Sequence, residues 1–417
     1  MELYIHIPFC MKKCRYCDFL SGSYEIEIRK KYTEALINDL LFYAAKCADE
    51  KVDSVFIGGG TPTFLETELM KQILTVVSSS FNLSDNVEYT IECNPGTANQ
   101  SAMDMYHDMG INRVSIGLQS ANEDELLMLG RIHDLKAFLR TFEYARRAGF
   151  DNINVDMMTG LPKQTPMKLR NTLNTVTMLR PEHISAYDLI IEPGTPFYNL
   201  YNDELIKRQQ GEKNLKSLPD EDMELELTRI TENFLSSKGY IKYEVSNFAR
   251  QGFSSRHNIG YWDRVPYIGV GIGAASLFNE TRWSNDRDIY SYINRLDKPG
   301  SAVALSDDPK ISTLKNRLLN EAPWEIDKDI IPESTDIKHL SRKAAMEEFF
   351  FLGLRKVKGV RRSDFENYFD TTVDAIYGDV IRKLQSEDLL TEKMGVIALT
   401  KRGMDISNLV LSEFLLD

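Results

Sequence analysis

Leu3-Tyr4-Ile5-His6-Ile7-Pro8-Phe9-Cys10-Met11-Lys12-Lys13-Cys14-Arg15-Tyr16-Cys17-Asp18-Phe19 runs from a short apolar strand pattern into a loop that gathers three thiols within eight residues. Thiolates are the usual ligands of iron–sulfur clusters, and close cysteine spacing lets one loop wrap a cube. The spacing Cys10-x3-Cys14-x2-Cys17 supplies three ligands, which leaves one iron of a [4Fe–4S] cluster open to a chelating cofactor. Zinc is the chemical rival, with His6 on the predicted strand as the available fourth ligand. A closed structural zinc site needs four donors, however, and usually pairs C-x2-C units. Structural or incidental cysteines are the third reading, and the cluster is favoured over both.

Outward from this stretch, Leu3–Ile7 is the first of six β-rich runs, followed by Val52–Ile57, Val87–Glu92, Arg113–Leu118, Asn152–Met157 and His183–Ile190. Amphipathic stretches such as Arg29–Ala45, Glu68–Ser79, Ala137–Ala148 and Lys168–Leu179 lie between them. Strands alternating with helices predict βαβ units and a parallel sheet. The expectation is an α/β fold of six units, a (β/α)6 partial TIM barrel left open on one side. Residues able to carry chemistry fall at strand ends: the cysteine loop, Gly58-Gly59-Gly60-Thr61, Glu92, Gln119 and Asp156. Any one of them is ordinary strand punctuation. Five together point to one mouth, because the C-terminal strand ends of such barrels converge there.

After Ile190 the pattern is irregular. A helix is predicted over 222–237, ahead of Tyr243-Glu244-Val245-Ser246-Asn247-Phe248, and a Gly-rich run, Gly269-Val270-Gly271-Ile272-Gly273, follows Trp262. Pro309, Pro323 and Pro332 mark a connector. Beyond it, helices over Met346–Lys356 and Asp374–Gln385 precede a hairpin pattern over Leu389–Thr400, with its turn at Lys393-Met394-Gly395, and a final helix. That order predicts an α+β, winged-helix-like C-terminal domain. The expected boundaries are a barrel over 1–240, a segment packed on it over 241–305, a connector over 306–340 and the C-terminal domain over 341–417.

The chain has 417 residues, 42% of them hydrophobic, enough for a core without covalent staples, and a net charge of −12. That charge argues against nucleic acid held by bulk electrostatics. The winged-helix-like unit adds to the case, with 13 acidic against 10 basic residues over 344–417, where a DNA-reading wing would be basic. Five cysteines, an odd number, do not suggest a disulfide framework. Cys47 and Cys93 stand alone and read as small buried hydrophobes. No basic segment leads into an apolar one at the start, and no run approaches the ~18 apolar residues of a membrane span. No signal peptide, no transmembrane segment and a cytoplasmic location are therefore expected.

Tyr4-Ile5-His6-Ile7-Pro8-Phe9-Cys10, with Tyr16 just before Cys17, resembles the opening of the oxygen-independent coproporphyrinogen III oxidase group of radical S-adenosylmethionine (SAM) proteins. The resemblance continues through Gly58-Gly59-Gly60-Thr61-Pro62-Thr63, Glu92-Cys93-Asn94-Pro95, Ser115-Ile116-Gly117-Leu118-Gln119-Ser120 and Leu129-Gly130-Arg131-Ile132-His133. It extends to Glu348-Phe349-Phe350-Phe351-Leu352-Gly353-Leu354-Arg355 near the C-terminus. It implies a radical SAM type of partial barrel, a [4Fe–4S] cluster on Cys10, Cys14 and Cys17, and SAM chelating the open iron. Reduction of that cluster cleaves SAM to a 5′-deoxyadenosyl radical in such families. By resemblance Tyr4, Tyr16, Gly59, Gly60, Thr61, Glu92, Gln119, Arg131 and Asp156 line the SAM site, Arg131 being suited to a carboxylate. No residue is assigned a catalytic role.

Within the group, oxidases usually carry another cysteine two residues after the third, where this chain has Phe19. That position resembles a heme-chaperone branch, as does His257-Asn258-Ile259-Gly260-Tyr261-Trp262. The resemblance implies heme, with His257 as a ligand and Tyr261 and Trp262 stacked on the macrocycle; unaided, His257 is as readily a structural histidine. An acceptor protein for heme and a homodimer are further expectations. The alternatives are oxidative decarboxylation of coproporphyrinogen and a radical SAM reaction on an unrelated substrate. Three departures stand out: Lys163 where Gly-Leu-Pro-x-Gln-Thr often has glycine, Ser255 where cysteine is frequent, and a long connector.

Overall fold

The computed structural model describes residues 1–213, 215–296 and 337–416. Most of the expected connector, and the end of the segment before it, lie outside the described residues. The chain divides into two compact units, one of residues 1–117, 130–153 and 266–338, the other of 118–129, 154–265 and 339–417.

Six strand–helix units follow in order: β1 Glu2–Ile7, α1 Ile26–Lys46, β2 Lys51–Gly59, α2 Thr67–Ser80, β3 Asn82–Cys93, α3 Gln100–Asp108, β4 Arg113–Gln119, α4 Glu123–Leu129 and α5 Leu135–Arg147. β5 Ile153–Thr159, α6 Pro166–Met178, β6 His183–Asp188 and α7 Pro196–Gln209 complete the series. This is the α/β class expected from the sequence. Among the described residues no helix is long and apolar enough to cross a membrane.

In the first unit β1 to β4 lie parallel in chain order. A strand from the Gly-rich run, Tyr267–Val270, flanks β1 in parallel on its other side. β1 is thus central: Leu3, Ile5 and Ile7 on one face are fully buried and Glu2 and His6 on the other are buried too, as parallel strands covered on both faces require. Gly271, at φ +98°, lets the Gly-rich run pass where a Cβ would lie 2.5 Å from the Tyr32 hydroxyl. That hydroxyl in turn donates to His6 O at 2.8 Å.

At the opposite end of β1, Glu2, Ser54 and Glu88 are neighbours across β1, β2 and β3. All three are buried. Burial, reinforced by Glu88, pushes the Glu2 carboxyl up to about 9 although Ser54 hydrogen-bonds to it. A carboxyl raised on folding holds more protons folded than unfolded, so its contribution falls as pH rises from the unfolded value near 4.5 toward 9. Glu2→Gln is therefore expected to raise the thermal midpoint by roughly 2 °C or more at pH 8 and by less at pH 5. Calorimetry at the two pH values checks this, and an equal shift at both would refute it.

In the second unit β5 and β6 are parallel, and the short strand Asn247–Ala249 runs antiparallel to β6. Thr165 caps α6 ahead of Pro166, a favoured start because proline lacks the donor that the first turn would leave unpaired. A separate core in the same unit joins helices Arg342–Gly353, Arg362–Phe369 and Val373–Ser386 with the hairpin Leu390–Lys393/Val396–Leu399. Helices followed by a hairpin match the winged-helix-like expectation. The helix Arg362–Phe369 is one that the periodicity did not indicate.

Candidate cofactor site

β1 delivers the cysteine loop, and backbone hydrogen bonds close its base. Phe9 and Gly22 form a parallel bridge; Cys10 N–H donates to Gly22 O at 2.9 Å, and Gly22 N–H to Pro8 O at 2.9 Å. His6 adds a side-chain tie. Its Nε2 lies 2.8 Å from Leu20 O, which can only accept, so Nε2 carries the proton and Nδ1 accepts from the Tyr4 hydroxyl at 3.0 Å. Burial also holds the His6 pKa below its ordinary value. A neutral imidazole with both nitrogens committed is no fourth zinc ligand, and the residue's work here is to pin the loop.

The glycine segment has an equally concrete reason. Gly59, at φ +111°, faces the His6 ring so closely that a Cβ would lie 2.5 Å from it. Gly60 N–H donates to Ile7 O at 2.9 Å and Thr61 N–H to Phe9 O at 2.8 Å. Only glycine tolerates that backbone and that approach. The end of β2 is thereby sewn to the loop, while Gly59 N–H donates to the Glu92 carboxylate at 3.0 Å.

Arg131 reaches the loop from the chain segment after α4. It donates to Gly117 O at 2.6 Å, to Asn94 Oδ1 at 2.8 Å and to Cys14 Sγ at 3.4 Å. Asn94 Nδ2 donates to Thr61 Oγ1 at 2.6 Å, and Thr61 Oγ1 lies 3.4 Å from Cys10 Sγ. Asn94 was not among the candidate site residues; its only sequence signal was the Glu92–Pro95 motif. Cys10 is buried, whereas Cys14 and Cys17 are half-buried. Burial, more than the neighbouring Cys14 and Cys10, pushes the Cys17 thiol above its ordinary value, against the Phe19 backbone hydrogen bond that lowers it.

Among the described residues no three His, Cys, Asp or Glu side chains converge as ligands of one metal ion. The loop thus offers three separate thiols, a guanidinium and hydroxyl aimed at two of them, and no fourth protein donor from His6. Those groups fit an iron–sulfur cluster, whose ligands spread around a cube.

The remaining candidates belong to the second unit. Gln119 is buried at φ +70° and accepts from the Tyr187 hydroxyl at 2.7 Å. Asp156 accepts from Asn154 Nδ2 at 2.7 Å. His257 and Tyr261 sit one turn apart on the helix Arg256–Trp262, with Nε2 3.1 Å from the tyrosine hydroxyl, and the imidazole is 2% exposed. Ser255 caps that helix by accepting from Asn258 N–H, which gives the serine at this position a structural task. Trp262 Nε1 donates to the buried Glu244 at 3.1 Å, and the Arg355 guanidinium lies 5.4 Å from the indole ring centre. Burial pushes the Glu244 carboxyl above its ordinary value. Neither Glu244 nor Arg355 was legible as a partner of Trp262 from spacing, since both contacts are long-range.

Residues 4–176 match the radical SAM superfamily, and residues 340–406 match the HemN C-terminal domain. The class that fold and cysteine loop define is thus a radical SAM protein, which implies a [4Fe–4S] cluster and SAM. The chain is 32% identical over 413 residues to the heme chaperone HemW of Bacillus subtilis (strain 168), covering 99% of this chain and 98% of that one. It is 37% identical over 275 residues to the heme chaperone HemW of Escherichia coli (strain K12), covering 66% and 69%. With kinship along its whole length, the chain belongs to the HemW family of radical SAM proteins. Coproporphyrinogen III oxidase (HemN) from Escherichia coli shares the fold, at a TM-score of 0.78 and 22% identity over 99% of this chain and 89% of that one.

Proposed function

We propose that this chain is a heme chaperone on a radical SAM scaffold, one that binds heme and passes it to an acceptor protein. The observation that carries the reading is a cavity of about 550 Å³ beside Trp262 in the second unit. Phe349 and Tyr368 line it with Trp262, and so do Lys358 and Arg361. Aromatic walls suit the face of a macrocycle, and exposed cations suit carboxylate side chains. Phe19, 68% exposed, stands where the oxidases of the group usually place a further cysteine, which supports the chaperone over the oxidase.

In this reading Cys10, Cys14 and Cys17 hold the cluster. Tyr4, Tyr16, Gly59, Gly60, Thr61, Glu92 and Arg131 serve SAM in the first unit; Gln119 and Asp156 keep the role that resemblance gives them. The cluster supplies one-electron chemistry to SAM when both are bound, while the chain's own residues orient the thiols and exclude water from Cys10. The protein is then a homodimer in the reducing cytoplasm, where free thiols persist, with the domain boundaries expected from the sequence. By the resemblance His257, Tyr261 and Trp262 would hold the heme; of the three Trp262 lines the cavity, and His257 Nε2 faces the Tyr261 hydroxyl at 3.1 Å.

Heme titration tests this. Binding near one equivalent with a Soret shift is expected, at micromolar affinity of about −8 kcal/mol. His257→Ala should alter the Soret band and weaken binding about tenfold, roughly 1.4 kcal/mol. A Lys358→Glu/Arg361→Glu double variant should weaken binding while leaving the band position alone. Iron–sulfur content should be unchanged in both. Parental spectra and affinities in both variants would move heme away from this cavity.

A further inference from the structure

We infer that Thr61 is a positioning residue whose hydroxyl, oriented by Asn94 and Arg131, donates to the Cys10 thiolate and so raises the reduction potential of the cluster held there. The inference rests on the reading that the cysteine loop carries that cluster.

The direction of the two hydrogen bonds that lead to Thr61 is forced, and a Cys10 thiolate, which has no proton to give, fixes the third. A guanidinium has donors only, so the Asn94 atom 2.8 Å from Arg131 Nη2 is the amide oxygen. The Asn94 NH2 must then be the group 2.6 Å from Thr61 Oγ1. An amide NH2 has no acceptor, so the threonine oxygen accepts there and its one proton is left for another partner. Cys10 Sγ lies at 3.4 Å. Thr61 is 3% and Cys10 8% exposed, so water does not compete well for that proton. The same guanidinium donates to Cys14 Sγ at 3.4 Å. One arginine thereby orders donors toward two of the three thiols, one directly and one through Asn94 and Thr61.

Reducing a cluster by one electron adds negative charge that is shared by its sulfurs. A donor aimed at a ligand sulfur favours the reduced form and raises the potential, one of the levers that a protein holds over such clusters. Valine matches threonine in shape and lacks the donor; serine keeps the donor and lacks the methyl group.

The test is potentiometric titration with dithionite, followed by electron paramagnetic resonance, on anaerobically reconstituted parent, Thr61→Val, Thr61→Ser and Asn94→Ala proteins without SAM. Thr61→Val should load iron like the parent but reduce at a more negative midpoint. Its reduced-to-oxidised ratio at the parent midpoint should fall up to tenfold, about 59 mV for one electron. Thr61→Ser should restore the parent midpoint. Asn94→Ala should shift it the same way but less, because the freed hydroxyl still reaches Cys10 part of the time. A fully loaded Thr61→Val protein with the parent midpoint overturns the inference, as do equal shifts in the valine and serine variants. Loss of iron in Thr61→Val but not in Thr61→Ser supports the hydroxyl's role at Cys10; loss in both overturns it. A parent protein that takes up no iron removes the cluster reading as well, and its own iron analysis identifies that case.

Discussion

Cys14→Ser is expected to leave the anaerobically reconstituted protein with little of the ~4 irons per chain that a [4Fe–4S] cluster brings. The parent should show a broad charge-transfer band that oxygen bleaches; the variant should lack it. Three ligands are the minimum that the loop offers, and no other thiol is placed to substitute. Cys47 is 3% exposed and Cys93 2%, and burial pushes their thiols up to about 12 and about 11. Cys47 follows α1 and Cys93 ends β3, so neither belongs to the loop that gathers the other three. Cys14 is half-buried and bordered by the Arg131 guanidinium, so serine there removes a ligand without opening the core. Iron analysis, absorption spectra and the thermal midpoint of the uncharged protein decide the matter. A normal cluster in the variant would sink the assignment, and an early melt would mark a folding defect instead.

Phe350→Ala should destabilise the C-terminal core by about 4 kcal/mol, in the range that truncating a buried aromatic costs when the cavity cannot close. Phe350 is fully buried. Its ring lies 4.6 Å from Phe414 and 4.7 Å from Tyr377, with Phe365 at 5.5 Å and Phe349 at 5.4 Å between centroids. Four rings drawn from different elements cannot all relax into one vacancy, so contacts are lost on every side. Hydrogen exchange should quicken across 345–414 and trypsin should cut there first. Parental protection throughout that range would show that the domain does not depend on this ring.

The alternation of apolar runs and amphipathic stretches was enough to find all six strands, because parallel strands buried on both faces are nearly continuous in hydrophobicity. α3, α4 and α7 escaped notice for a physical reason. Two are short, and α7 buries only Phe197, so no long stripe of apolar residues announces them. The cysteine loop was legible because its ligands are neighbours in the chain. The Thr61–Asn94–Arg131 chain was not, because its members come from three separate segments. His6 changed meaning in the structure, from a possible metal ligand to a pin of the loop, and Gly59 gained a second task as the surface that its ring packs against. Lys163 explains itself in the same way. It sits at φ +58°, a left-handed conformation that glycine adopts freely and lysine holds at some strain, which is why relatives of the motif often have glycine at that place.

The backbone pairing of Phe9 with Gly22 bears on how a cluster would be loaded. Residues 10–21 form a loop whose two ends are already joined by protein hydrogen bonds. The entropy of bringing those ends together is thus met by the fold and not by the metal. The base of the loop would therefore stay closed whether or not its thiols carry a cluster.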